Sequence, residues 1–208
     1  MAVPASIQVS IVKSFFDPAI IKVRPQFGTG RCHSKKTYGK LSQIIGEIVK
    51  SLYLVRHADA ESPRFGSDFE RKLTTYGEQR AAALGYFLQK RGISPQLVIS
   101  SDAIRAAMTA QIIADVLQIA QPVKLENKIY NASESQLLDY LMMAEVEVAD
   151  SILLVGHNPT LSQFVYSQAG KPGRSMQTAS VVGLTYNIGN WSEISAEQCQ
   201  FLFYESPA

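Results

Sequence analysis

Three short apolar runs, at residues 52–55, 97–99 and 152–155, show no polar alternation and are separated by longer stretches of helical periodicity. A strand with no polar face must be covered on both sides, so this pattern calls for a sheet held between helices. Thr75 with Glu78 three residues on fits a capping box opening a helix to about Lys90, which Gly92 and Pro95 stop. Ser101 or Asp102 can cap a second helix through about Gln118. Ser133 with Gln136 opens a third, apolar at Leu137, Leu138, Leu141 and Met142, and a fourth begins at Asn158 with Pro159 in its first position. After a break at Gly170–Gly173, residues 179–187 and 200–204 read as strands that close the sheet. The expected fold class is α/β, a three-layer αβα sandwich with a mostly parallel sheet.

Charge divides the chain at the point where this regular texture begins. Residues 1–50 hold eight Lys or Arg against two acids, a balance of +6, while residues 51–208 hold twelve against sixteen, a balance of −4. The net charge of +2 therefore describes neither part, and no nucleic-acid partner follows from it. Residues 1–50 are expected to be a basic, poorly ordered N-terminal extension, and residues 51–208 the folded domain. A basic, acid-poor leader also fits an organelle transit sequence. The apolar stretch from Ile7 to Val23 is interrupted by Lys13, Asp17 and Pro18, so neither a membrane helix nor a secretory signal is expected. Cys32 and Cys199 match no disulfide or metal spacing and read as free thiols. A cytoplasmic monomer without a membrane partner is expected.

The residues that follow each buried run carry the chemistry. The first run ends in Arg56-His57, the second leads through Ser100 and Ser101 to Arg105 on the first turn of its helix, and the third ends in Gly156-His157-Asn158. In an open α/β sheet the ligand crevice lies beyond the carboxyl ends of the strands, so these three points should converge. Two histidines and two arginines in one crevice require an anion, because cations alone raise one another's energy. The guanidinium fork matches a phosphoryl group. Taken singly, each of these residues reads as an ordinary loop or surface group; His33 has no motif around it.

The motifs Leu54-Val55-Arg56-His57-Ala58-Asp59-Ala60, Leu73-Thr74-Thr75-Tyr76-Gly77, Ser100-Ser101-Asp102-Ala103-Ile104-Arg105-Ala106 and Val155-Gly156-His157-Asn158-Pro159 resemble, in order and spacing, the histidine phosphatase superfamily (phosphoglycerate mutase-like). Within it they are most similar to the phosphohistidine phosphatase SixA group, from Ser51 to the C-terminus. The resemblance implies that His57 is the nucleophile and carries the phosphoryl group covalently, that Arg56 and Arg105 hold its equatorial oxygens, and that His157 adds a hydrogen bond. It places Arg71, with Lys72 as a substitute, and Asn158 among the substrate-binding residues. It implies no metal and no cofactor. No histidine and carboxylate cluster here has metal-ligand spacing, although a two-histidine metal site stays open.

Departures from the wider family bear on the substrate. Where most members read Arg-His-Gly, Ala58 stands third. Mutase-like members carry a glutamate whose place, aligned on Tyr130, falls at Asn127 with Glu126 beside it; acid phosphatase-like members carry an aspartate where Asn158 stands. An alkoxide leaving group needs a general acid, whereas an imidazole, titrating near pH ~6.5, is less demanding. The missing acid favours phosphohistidine on a protein, such as a phosphotransfer domain, as substrate. Asp59, Glu61 or Glu126 could restore ester chemistry, so a small-molecule phosphomonoesterase is the alternative; a non-catalytic phosphate-binding module would not need His57. Only about 26 residues separate Ile99 from Glu126 and about 25 separate Glu126 from the next strand, which leaves little chain for a lid.

Overall fold

The apolar runs form the centre of one sheet, and their neighbours in the sheet are far apart in sequence. The computed structural model describes residues 49–62, 67–170 and 175–206. The expectation for residues 1–50 lies outside the described residues except at Val49 and Lys50. The strands are β1 (Lys50–Arg56), β2 (Leu97–Ser101), β3 (Lys124–Glu126), β4 (Ser151–Gly156), β5 (Val181–Tyr186) and β6 (Cys199–Glu205). Their order across the sheet is β3-β2-β4-β1-β5-β6. β3, β2, β4 and β1 are mutually parallel, and β5 and β6 add as antiparallel strands.

The alternation of β1 explains why it shows no polar face. Leu52 and Leu54 point into one buried cluster and Tyr53 and Val55 into another. The first cluster is completed by helices α3 (Glu134–Leu141), through Leu137 and Leu141, and α5 (Thr160–Ala169), through Leu161 and Phe164. The second takes Leu84 and Leu88 from α1 (Thr75–Lys90) and Ala106, Ala110 and Ile113 from α2 (Ile104–Leu117). A further single turn, α4 (Ala144–Glu147), precedes β4. The result is the three-layer αβα sandwich with a mostly parallel sheet that two-sided strands require.

Lys50 begins the first strand one residue before the expected domain boundary. Its ammonium is buried, donating to the carbonyls of Glu147 and Ala149 and pairing with Asp150 at 3.1 Å, which anchors the start of β1. Several local expectations shift by a residue or more. The cap of α1 is Thr74, whose side chain accepts from the Gly77 N–H, because Thr74 is the last extended residue. Helix α2 is capped by Ala103 without a side-chain bond, since Ser101 and Asp102 have other partners. The Ser133 and Gln136 capping box is present, while α5 starts at Thr160 with Pro159 as its cap. Strand β5 starts only at Val181, because Ala179 turns into the left-handed region at φ +52°. The polar edge strand β3 has no apolar run to announce it.

Candidate active site

Parallel pairing alone brings the three strand ends together. Arg56 is in register with Gly156, and Ser100 with Val155, so β2, β4 and β1 deliver their last residues side by side. The next residues follow the same ladder, His57 N–H donating to the Gly156 carbonyl. The rings of His57 and His157 consequently lie 5.0 Å apart between centroids. Three further ties hold this rim. The Ala179 N–H donates to the His57 carbonyl, the Ala58 N–H donates to Thr109 Oγ1, and the Thr109 hydroxyl donates to the Arg105 carbonyl. Thr74 docks the start of α1 onto the Asp59 carbonyl, and a Cβ on Gly77 would lie 2.0 Å from that oxygen, so only glycine allows this approach.

Both histidines are buried, and their partners define opposite tautomers. His57 Nδ1 lies 2.8 Å from the Ala58 carbonyl, which can only accept, so Nδ1 carries the proton. Its Nε2 then presents a lone pair and accepts from Arg105 Nε at 3.2 Å. His157 Nδ1 faces the donor Arg105 Nη2 at 3.4 Å, which leaves Nε2–H to donate to Ser101 Oγ at 2.9 Å. Burial pushes the His57 pKa down to about 4, with Arg105, Arg56 and Arg71 adding to the effect against the opposing pull of the Ala58 carbonyl. Burial, with His57 and Arg105 adding to it, pushes His157 down to about 3. At neutral pH both rings are therefore uncharged.

Three arginines act on these rings, and Asn158 follows His157 in the chain. Arg105, 5% exposed, reaches both rings. Arg56 donates from Nη1 to the Met176 carbonyl at 2.7 Å, while its Nε is buried with no partner, and burial lowers its pKa. Arg71 donates to the Glu61 carbonyl and to Asp68. Asn158, expected among the substrate-binding residues, donates to Ser175 Oγ and the Met176 carbonyl and accepts from Ser162. It positions the segment on which Arg56 rests.

Two of the three carboxylates named as substitute acids are held in ion pairs. Asp59 pairs with Arg80 at 3.0 Å and accepts from Thr178, and Glu126 pairs with Lys124 at 3.2 Å. Glu61 meets the site through its carbonyl, which accepts from Arg71. Asn127 donates to Asp102, whose other oxygen is buried without a partner. The carboxylate that does reach the site, Asp68, escaped sequence reasoning. It accepts from Arg71, Arg105 and Tyr130, and the first of these, with Tyr130, holds its carboxyl far below the usual range. Its only sequence signal is the Asp-x-x-Arg spacing to Arg71, which is common on any surface turn. Tyr130 stands edge-on to His157. Among the described residues no group of three or more His, Cys, Asp or Glu could hold a metal ion.

Fold and site together define an α/β protein with a cationic pocket at the carboxyl edge of a parallel sheet. A model of the histidine phosphatase superfamily (branch 1) matches residues 52–133. The chain is 30% identical over 165 residues to the phosphohistidine phosphatase SixA homolog of Haemophilus influenzae, a match covering 74% of this chain and 98% of that protein. The solved structure of the putative phosphohistidine phosphatase SixA from Agrobacterium tumefaciens, 23% identical, has a TM-score of 0.65 over 76% of this chain and 98% of its own. That of the protein histidine phosphatase SixA complexed with tungstate, 21% identical, also has a TM-score of 0.65, over 76% and 97%. The chain belongs to the histidine phosphatase superfamily, and its fold is that of SixA.

Proposed function

We propose that this protein is a phosphohistidine phosphatase that acts on a phosphorylated histidine of another protein, with His57 as nucleophile. The observation that carries the reading is the state of His57: an uncharged ring with Nδ1–H on the Ala58 carbonyl and the Nε2 lone pair among Arg105, Arg56 and Arg71. In the first step Nε2 forms a bond to phosphorus and the bond from phosphorus to the leaving ring breaks; that ring, protonated on its other nitrogen, takes back the electron pair and departs as neutral imidazole. Because Nδ1 keeps its proton, phosphorylated His57 is an imidazolium, the form that releases a phosphoryl group readily, and the Ala58 carbonyl stabilises that charge. Water then attacks phosphorus, the bond to Nε2 breaks, and inorganic phosphate leaves with the neutral ring restored.

The arginines hold the equatorial oxygens of the transition state, the unpaired buried Nε of Arg56 offering a donor for one of them. His157 meets an arriving oxygen with Nδ1 only after that atom gains a proton, which a phosphoryl dianion beside it favours. The leaving-group side supports phosphoramidate over ester: Asp59 and Glu126 are ion-paired, and Asp68 is held ionised and donates no proton. The similar protein histidine phosphatase SixA was solved with tungstate bound, and an oxyanion of that kind suits a pocket lined by arginines. Residues 51–208, with Lys50 opening β1 and Val49 before it, then form the catalytic domain of a cytoplasmic monomer that needs no metal, and residues 1–48 are dispensable. The test incubates the protein with a phosphohistidine-bearing phosphotransfer domain and with p-nitrophenyl phosphate. Turnover of the first, poor turnover of the second and loss of both in His57→Ala are expected. Full activity in His57→Ala sinks the mechanism, and fast hydrolysis of sugar phosphates sinks the substrate class.

A further inference from the structure

Asp68 occupies donors of two of the site's three arginines, Arg71 and Arg105. It opens a single turn, Asp68–Glu70, capped by the Ser67 hydroxyl. Its Oδ1 accepts from Arg71 Nη1 at 2.8 Å, and its Oδ2 accepts from both Arg105 Nη2 and the Tyr130 hydroxyl at 2.8 Å. The Asp68 carbonyl takes a further bond from Arg105 Nη1. Phe69 packs edge-on to Tyr130 at 5.2 Å between centroids, which keeps the turn on the same rim.

The donor inventory of Arg105 gives this placement its meaning. A guanidinium has five N–H groups. Nε–H serves His57, the two Nη2 hydrogens face Asp68 Oδ2 and His157, and one Nη1 hydrogen serves the Asp68 carbonyl. Four of the five are directed at protein groups, so Arg105 cannot grip two phosphoryl oxygens until one partner withdraws. His57 and His157 are buried and tied to Ala58 and Ser101, whereas the Asp68 side chain is 49% exposed. Asp68 is the partner that can leave.

We propose that Asp68 is the resident anion of the phosphoryl site, and that a substrate's phosphoryl group binds by displacing its carboxylate from Arg105 and Arg71. The proposal rests on the phosphatase reading for the identity of the incoming group, but the exchange is a property of the two arginines. A carboxylate carries one charge on two oxygens and a phosphoryl dianion two charges on three, so the exchange favours the dianion. A monoanionic ligand meets a competitor of its own charge that is already tethered in place. Asp68 thereby keeps weakly held anions, such as the carboxylates of an ordinary protein surface, from occupying the site, while the preference for a phosphoryl group comes from the arginines themselves.

The test measures binding of inorganic phosphate and of acetate by calorimetry to the wild type, Asp68→Asn and Tyr130→Phe, with the melting temperature of each. Asp68→Asn keeps the carbonyl bond and the size of the side chain; phosphate is expected to bind about tenfold more tightly and acetate to gain no more than that, because a resident competitor lowers the apparent affinity of every displacing ligand by the same factor. Tyr130→Phe changes no charge and removes the donor that holds Asp68, together with the hydroxyl's contact to Arg105, so displacement predicts phosphate binding about two- to threefold tighter. Phosphate binding that is unchanged or weaker in either folded variant overturns the proposal. Neither arm involves turnover, so a failure to hydrolyse phosphohistidine leaves it standing, and its own failure leaves the phosphatase reading intact.

Discussion

Acidification sets the folded state against its buried His57. In the unfolded chain the His57 ring titrates near pH ~6.5; in the folded protein burial, assisted by Arg105, Arg56 and Arg71, lowers this to about 4. Above pH ~6.5 neither state holds the proton. Between that value and about 4 only the unfolded chain binds it, so the stability present at neutral pH is lost progressively as pH falls, and below about 4 the loss is complete. The difference corresponds to about 3 kcal/mol, a large part of the stability of an ordinary domain. The perturbation is His57→Asn, which removes the titrating ring, and the assay is urea unfolding by circular dichroism from about pH 7.5 to about pH 4. The variant is expected to gain about 3 kcal/mol on the wild type across this range. His157, which burial lowers to about 3, is present in both proteins, and Asp68, held far below the usual carboxylate range by Arg71, begins to contribute only at more acid pH. Parallel stability profiles for the two proteins would refute the reasoning. The same displacement puts protonation of the His57 ring near pH 4 in the folded protein, which a histidine NMR titration reads directly.

Two substitutions probe how the site is held. Gly77→Ala would set a methyl 2.0 Å from the Asp59 carbonyl oxygen, and as that oxygen is backbone, the loop after β1 has to move; about 3 kcal/mol of stability and most of the turnover should be lost together, read by thermal unfolding and steady-state assay. Arg105→Lys keeps the charge but not the fork that reaches His57, His157 and Asp68; kcat/KM should fall by about 100-fold or more, and a value within threefold of the wild type would rule out bidentate hold.

Much of this protein is written in short-range pattern. Residues 52–55, 97–99 and 152–155 lack a polar face because each strand is covered on both sides, and that property is local to the strand. Parallel pairing then obliges His57, Arg105 and His157 to meet, so the family motifs and the cationic pocket are legible in the order of residues alone. The Ser133 capping box is equally legible, being satisfied within one turn. The cap at Ala103 is displaced because tertiary partners take the residues expected there, Ser101 going to His157 and Asp102 to Asn127, whereas the cap at Thr74 shifts by one residue because Thr74 is the last extended one.

The remainder depends on contacts between residues remote in sequence. Asp68 meets Arg105 across 37 positions and Tyr130 across 62, and no local pattern encodes the path that brings them together. The same holds for Asn158, whose amide supports Met176 and through it Arg56, and for the histidine tautomers, which follow from whether a carbonyl or a guanidinium faces each nitrogen. The sequence by itself determined the layers, the strand ends and the residue types of the site, because periodicity and parallel pairing act over one element at a time. Only the tertiary structure decided which of those side chains face the pocket and in what protonation state, because hydrogen-bond partners and burial are properties of the packed whole.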